Sequence, residues 1–80
     1  MKKMQMLNRF CEIAKECIPT LDEEGFEYSF LDNQIDIDDQ GPCCSDSKLM
    51  NLFKDNIKSE IDENELYQKI ENICIKFVYG

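Results

Sequence analysis

The chain contains no histidine. That removes the side chain most used as a general base near neutral pH and the commonest transition-metal ligand, which excludes many enzyme mechanisms and leaves paired carboxylates to act as acid and base. A second absence is local. From Glu16 to Ser47 there is no Lys or Arg, while ten carboxylates (Glu16, Asp22, Glu23, Glu24, Glu27, Asp32, Asp36, Asp38, Asp39 and Asp46) fall within the same 32 residues. Also lacking is any apolar run near the roughly 18 residues that cross a bilayer, and the N-terminus has no apolar stretch of the signal-peptide kind. Five cysteines, an odd number, then point to a reducing, cytoplasmic compartment and not to a disulfide framework.

What is present is charge of one sign, concentrated. The formal net charge is -8, and outside residues 16 to 47 seven acids face nine bases, so the flanks are slightly basic and the excess sits in the middle. Like charges gathered on one surface cost folding free energy through self-repulsion, which implies a cationic partner and an anionic face that anionic lipid would repel. A chain of 80 residues forms one small domain and buries only about 60 to 65% of the surface its unfolded form exposes. The 42% hydrophobic content still argues for a folded core.

The periodicities describe an α+β domain over residues 1–80. Leu7, Phe10, Cys11, Ala14, Cys17 and Ile18 recur at helical spacing until Pro19, which has no backbone N–H and disfavours helix before it. Phe26, Tyr28 and Phe30 alternate with polar residues, as do Ile35 and Ile37 beyond Asp32-Asn33, which predicts a two-stranded antiparallel hairpin turning at 32 and 33. In that register Tyr28, Phe30, Ile35 and Ile37 point inward, and Glu27 opposes Asp38 outside with Asp36 beside them. After the Gly41-Pro42 loop, Ser45 or Ser47 caps a helix carrying Leu49, Leu52, Phe53 and Ile57. Asp62 and Glu65 resemble a capping box ahead of Leu66, Ile70, Ile73, Cys74 and Phe77. The expected architecture is a helix, the hairpin, then two helices packed on one face of the hairpin. Residues 75–79 also alternate as a strand would, and helix is chosen for them.

Candidate chemistry is sparse. Cys43-Cys44 lacks the paired short spacing of a zinc site. Asp36, Asp38, Gln40 and Gly41 imitate the opening of a calcium loop, but Pro42 occupies the seventh position and Ser47 the twelfth, where a bidentate carboxylate belongs. No metal, cofactor or catalytic residue is therefore expected. Cys11, Cys17 and Cys74 read as small core hydrophobes. Cys43 and Cys44 precede a helix whose positive end favours a thiolate, although Asp38, Asp39 and Asp46 oppose it. The partner-binding residues expected from charge are Asp22, Glu23, Glu24, Glu27, Asp36, Asp38 and Asp39. On a strand, alternate carboxylates stand roughly 6.6 Å apart and make a row of charge.

The order helix, acidic hairpin, helix, helix, with Leu52-Phe53-Lys54 and the run Asp62-Glu63-Asn64-Glu65-Leu66-Tyr67, resembles small phage-encoded CRISPR inhibitors, the acidic type that imitates DNA before Cas9. The resemblance covers Leu49 to Lys76 and departs from that type in having two expected strands where it has three. It implies a non-enzymatic anti-CRISPR inhibitor that blocks the nuclease surface recognising the target's flanking motif. Its partner would be a basic protein, such as a CRISPR-associated nuclease or another nucleic-acid-binding protein. Two other readings stay open from the residues: a thiol- or metal-responsive regulator centred on Cys43 and Cys44, and a structural subunit of a larger assembly.

Overall fold

The structure, a computed structural model, describes residues 2–80. Its elements in chain order are α1 (Lys2–Cys17), α2 (Glu23–Asp32), β1 (Asp36–Asp38), β2 (Gly41–Cys43), α3 (Asp46–Asp55) and α4 (Glu63–Tyr79). The α+β class and the sequence of helix, antiparallel strand pair and two further helices are as expected, with one helix added between α1 and the strands.

That added helix is the main correction. Residues 26–30 are not a strand: the Asp22 carboxylate accepts a hydrogen bond from the Gly25 backbone N–H at 3.1 Å and caps α2. Phe26 and Phe30, each two residues from Tyr28 in an alternating pattern, are four apart and so about one helical turn apart, and both are fully buried. Tyr28 is thereby turned outward and is 73% exposed, where the hairpin register pointed it inward. The alternation fits either period over so short a run, and the cap decides it.

Asp32-Asn33 is a helix stop and not a hairpin turn. The backbone N–H of Ile35 reaches the Phe30 carbonyl at 3.3 Å and that of Gln34 the Leu31 carbonyl at 3.0 Å, the paired bonds of a Schellman motif. Gln34 takes the left-handed position at φ 56°, a place usually given to Gly. The accompanying apolar contact is made by Phe30 and Ile35, both buried. The strand pair follows, shifted along the chain: Asp36 pairs with Cys43, Ile37 with Pro42 and Asp38 with Gly41, leaving Asp39-Gln40 as the turn. Gly41 at φ 111° is what closes it.

The other helices follow the sequence closely, except that α3 ends at Asp55, so Ile57, expected on its apolar face, lies beyond the Asn56 cap and bridges Leu21 instead. The last residue of α1 precedes Ile18, whose N–H still reaches the Ala14 carbonyl at 2.8 Å before Pro19 ends the run. Ser45 caps α3 by accepting from the Lys48 N–H. Asp62 caps α4 by accepting from the N–H groups of Asn64 and Glu65, and helix continues through residues 75–79.

All four helices deliver phenylalanine to one core, and the five rings (Phe10, Phe26, Phe30, Phe53, Phe77) are at most 1% exposed. Phe10 lies 6.2 Å from Phe26, 6.3 Å from Phe53 and 5.6 Å from Phe77 between centroids, and Phe26 lies 4.4 Å from Phe53. The linkers of the two helix pairs are clamped together. Leu21 bridges Ile57, the Asp22 N–H reaches the Asn56 carbonyl at 2.6 Å, and the Lys58 N–H reaches the Thr20 carbonyl at 2.9 Å. Gly25 sits where a Cβ would come within 2.6 Å of Asn56 Oδ1, so this junction needs glycine for space. Among the described residues no helix is long and apolar enough to cross a membrane.

The helical assignment of α2 has a direct test. Phe26→Ala should cost about 3 to 5 kcal/mol in chemical denaturation, whereas Tyr28→Ala should stay within about 0.5 kcal/mol. A large loss at Tyr28 would restore the hairpin. Gln34→Gly should stabilise by about 0.5 to 1 kcal/mol, because relief of the left-handed strain outweighs the added freedom of the unfolded chain.

Candidate acidic interface

The seven carboxylates expected to bind a partner fall into two groups. Four belong to the start of α2. Asp22 is half-buried and occupied as the N-cap, with its own N–H bound to Asn56, so its first task is structural. Glu23 and Glu24 stand in the first turn, where the helix's positive end offsets their mutual repulsion. Glu27 follows Glu23 by one turn and shares its side of the helix.

Two members of this group act on a thiol of α1. Burial, then Glu27, Glu23 and Glu12 in that order, push the Cys11 thiol up to about 12. Glu12 is the neighbour of Cys11 in the chain, whereas Glu23 and Glu27 reach it from α2. The packing of α1 against α2 brings them there, and no spacing along the chain reports it.

The second group is on the strand pair. Asp36 and Asp38 are exposed while Ile37 between them is buried, the alternation a half-buried strand requires. Asp38 is engaged in the turn: Oδ1 accepts from the Gln40 N–H at 2.8 Å, and Oδ2 accepts from the Cys43 thiol at 3.7 Å. Asp36 accepts from the Ile37 N–H at 3.0 Å and meets Lys3 Nζ at 3.9 Å. That ion pair is largely solvated and contributes little. Asp39 is exposed at the tip. Glu27 does not face Asp38, because it belongs to α2; the expected row of Glu27, Asp36 and Asp38 does not exist.

The cations are mostly directed elsewhere. Among the described residues only Asp36 and Glu63 have a Lys or Arg nitrogen within 4 Å. Lys15 donates to the Leu21 carbonyl at 2.8 Å, Lys69 donates to the Cys17 carbonyl at 3.3 Å, and the Arg9 guanidinium lies over the Phe77 ring at 4.8 Å. These cations satisfy carbonyls at the end of α1 and in the linker after it, and an aromatic face, and among the described residues the carboxylates of α2 have no Lys or Arg nitrogen within 4 Å.

The thiols divide differently from expectation. Cys11 is buried, but Cys17 and Cys74 are only half-buried at the edge of the core. Cys43 is exposed on β2 and Cys44 turns inward against the core. Desolvation, then Asp38 and Asp36, raise the Cys43 thiol above its ordinary value. Burial raises Cys44 despite the opposing pull of Lys48. The positive end of α3 thus loses to desolvation and acidic neighbours, which leaves the pair poorly suited to thiolate chemistry near neutral pH. Among the described residues no group of three or more Cys, Asp or Glu is arranged to hold a metal ion.

Comparison with protein-family models, curated proteins and solved structures finds no match.

Alkylation tests the thiol assignment. In the native protein iodoacetamide should modify Cys43 first on access, and Cys11 only on unfolding. Because the neighbouring carboxylates hold the Cys43 proton on, Asp38→Asn should lower its pKa and speed its modification several-fold near neutral pH, with the gap closing above about pH 10. An unchanged rate in Asp38→Asn would remove Asp38 as the controlling group.

Proposed function

We propose that this chain is a non-enzymatic acidic binding protein that occludes a basic, nucleic-acid-binding surface of a partner protein, in the manner of the DNA-mimicking CRISPR inhibitors. The observation that carries the reading is the set of carboxylates on α2 and the strand pair, with Glu24, Asp36 and Asp39 exposed and Glu23 and Glu27 half-buried, of which only Asp36 has a Lys or Arg nitrogen within 4 Å among the described residues, while Lys15, Lys69 and Arg9 are committed to carbonyls and a ring. A rigid scaffold holds both groups, since α1 packs against α2 and against β1. Carboxylates held in fixed positions can stand in for backbone phosphates before an Arg- and Lys-lined groove. The proposal sets the protein in a reducing cytosol, supported by five free thiols. The residues assigned to contact are Glu23, Glu24, Glu27, Asp36 and Asp39, with Asp22 and Asp38 serving mainly to hold the backbone that presents them.

The experiment is capture of the partner from the native host on the immobilised protein, followed by competition with duplex DNA for the captured partner. Added protein should displace DNA. Affinity should fall steeply between about 0.05 and 0.5 M salt, because exposed charges are screened over about 8 Å at physiological ionic strength. The variant carrying Glu23→Gln, Glu24→Gln, Glu27→Gln, Asp36→Asn and Asp39→Asn should lose about tenfold or more in affinity while unfolding at nearly the same temperature. A flat salt response, or full affinity in that variant, would overturn the electrostatic reading.

A further inference from the structure

Three of the large exposed apolar side chains share one helix, the others being Met4 on α1 and Tyr28 and Leu31 on α2. Tyr67 (42% exposed), Ile75 (55%) and Tyr79 (85%) lie on α4 at multiples of four residues, with Glu71 completing the series, so they form one stripe along the helix. Beside the stripe α3 and α4 leave an open cleft of about 280 Å³. Leu49 and Ile70, both buried, form its floor, and Met50 and Tyr67 stand in its walls. Two carboxylates line it as well, Asp46 at the start of α3 and Glu71 in the middle of α4. Both act on Cys74 in the same cleft, whose thiol is raised first by burial, then by Asp46, Cys44 and Glu71.

An apolar trough with acidic walls is chemically specific. We propose that the α3–α4 groove docks a cationic amphipathic helix of a protein partner, seating one apolar side chain beside Met50, Tyr67 and Ile75 and setting basic residues against Asp46 and Glu71. Two packed helices with an unfilled groove accept a third helix by the same ridge-and-groove fit that builds bundles, and an aromatic and a branched aliphatic residue are suitable anchors. Charge selects the occupant. A second copy would carry a further -8 and, in a two-fold contact, would set Asp46 and Glu71 against the same carboxylates. A compact small molecule finds a cleft at the lower limit of ordinary ligand pockets, which run from about 300 Å³. This surface is separate from the carboxylates of α2 and the strand pair and does not depend on their proposed role.

The test uses three synthetic 15-residue peptides with the full-length protein: a Leu/Lys amphipathic helix, a Ser/Lys peptide of equal charge, and a Leu/Glu amphipathic helix. Backbone amide shifts are followed by NMR. The Leu/Lys helix should move the amides around Met50, Tyr67 and Ile75, and the Ser/Lys and Leu/Glu peptides should leave them in place. Ile75→Ser and Glu71→Lys, both at exposed positions, should each weaken Leu/Lys binding about tenfold without altering the rest of the spectrum. Shifts confined to α2 and the strand pair would overturn the proposal while leaving the electrostatic reading intact. Equal binding of the Leu/Glu helix would overturn the charge selection. Sedimentation as a dimer that Ile75→Ser dissolves would assign the groove to a second copy and overturn it too.

Discussion

The contact between Phe10, Phe26 and Phe53 is what the rest of the molecule depends on. These three rings come from α1, α2 and α3, and Phe77 of α4 meets Phe10 edge-on, so one cluster ties all four helices together. Aromatic pairs at such separations add about 0.5 to 1.5 kcal/mol beyond the area they bury, a considerable share of the 5 to 15 kcal/mol typical of a domain's whole stability. The cluster also explains why residues 23–32 are helical. A strand would present Phe26, Tyr28 and Phe30 to the same side; a helix presents Phe26 and Phe30 and releases Tyr28 to solvent, and that is the arrangement the core accommodates.

The linkers act with the cluster. Asp22 caps α2 with its side chain and binds Asn56 with its backbone, and Asn56 in turn donates its side-chain amide to the Leu52 carbonyl. The start of α2 and the end of α3 are therefore fixed to each other, with Gly25 permitting the close approach. Placement of Glu23, Glu24 and Glu27 follows from this junction, since their helix starts where Asp22 is held. Part of the acidic run is thus the chemistry of helix starts. Asp22, Asp46 and Asp62 cap or open helices, and Glu23, Glu24, Glu63 and Glu65 occupy first turns, where the macrodipole favours negative charge.

Signals that act over three or four residues were legible in the sequence. Pro19, Ser45 and Asp62 mark the helix ends where they are found, and the buried faces of α1, α3 and α4 follow from apolar spacing. What failed was the segment in which two periods coincide. Phe26 to Phe30 satisfies both, and the deciding evidence, Asp22 three residues before Gly25 with two acids in the first turn, was present but outweighed by the alternation. The strand pair was misplaced for a related reason: Gly41 marked its turn, while Gln34, in a left-handed conformation that Gln rarely adopts, carried no helix-stop signal. The acidic site was legible in composition and not in geometry. Glu23 and Glu27 reach Cys11 only through packing of α1 on α2, and Lys3 reaches Asp36 across the chain, so neither shows in a count along the sequence.

Charge and apolar exposure are only partly separated on this small domain. Carboxylates on α2 and the strand pair raise the free energy of the folded state through repulsion, which the buried phenylalanines must offset. Tyr28 and Leu31 are exposed on the same acidic helix, while Tyr67, Ile75 and Tyr79 lie on α4, where Asp46 and Glu71 border the groove. Covering either surface would desolvate carboxylates along with the apolar groups, and unpaired buried charge is among the costliest arrangements in a protein. Both surfaces therefore share one physical demand: whatever covered them would have to bring cations to the carboxylates it buried.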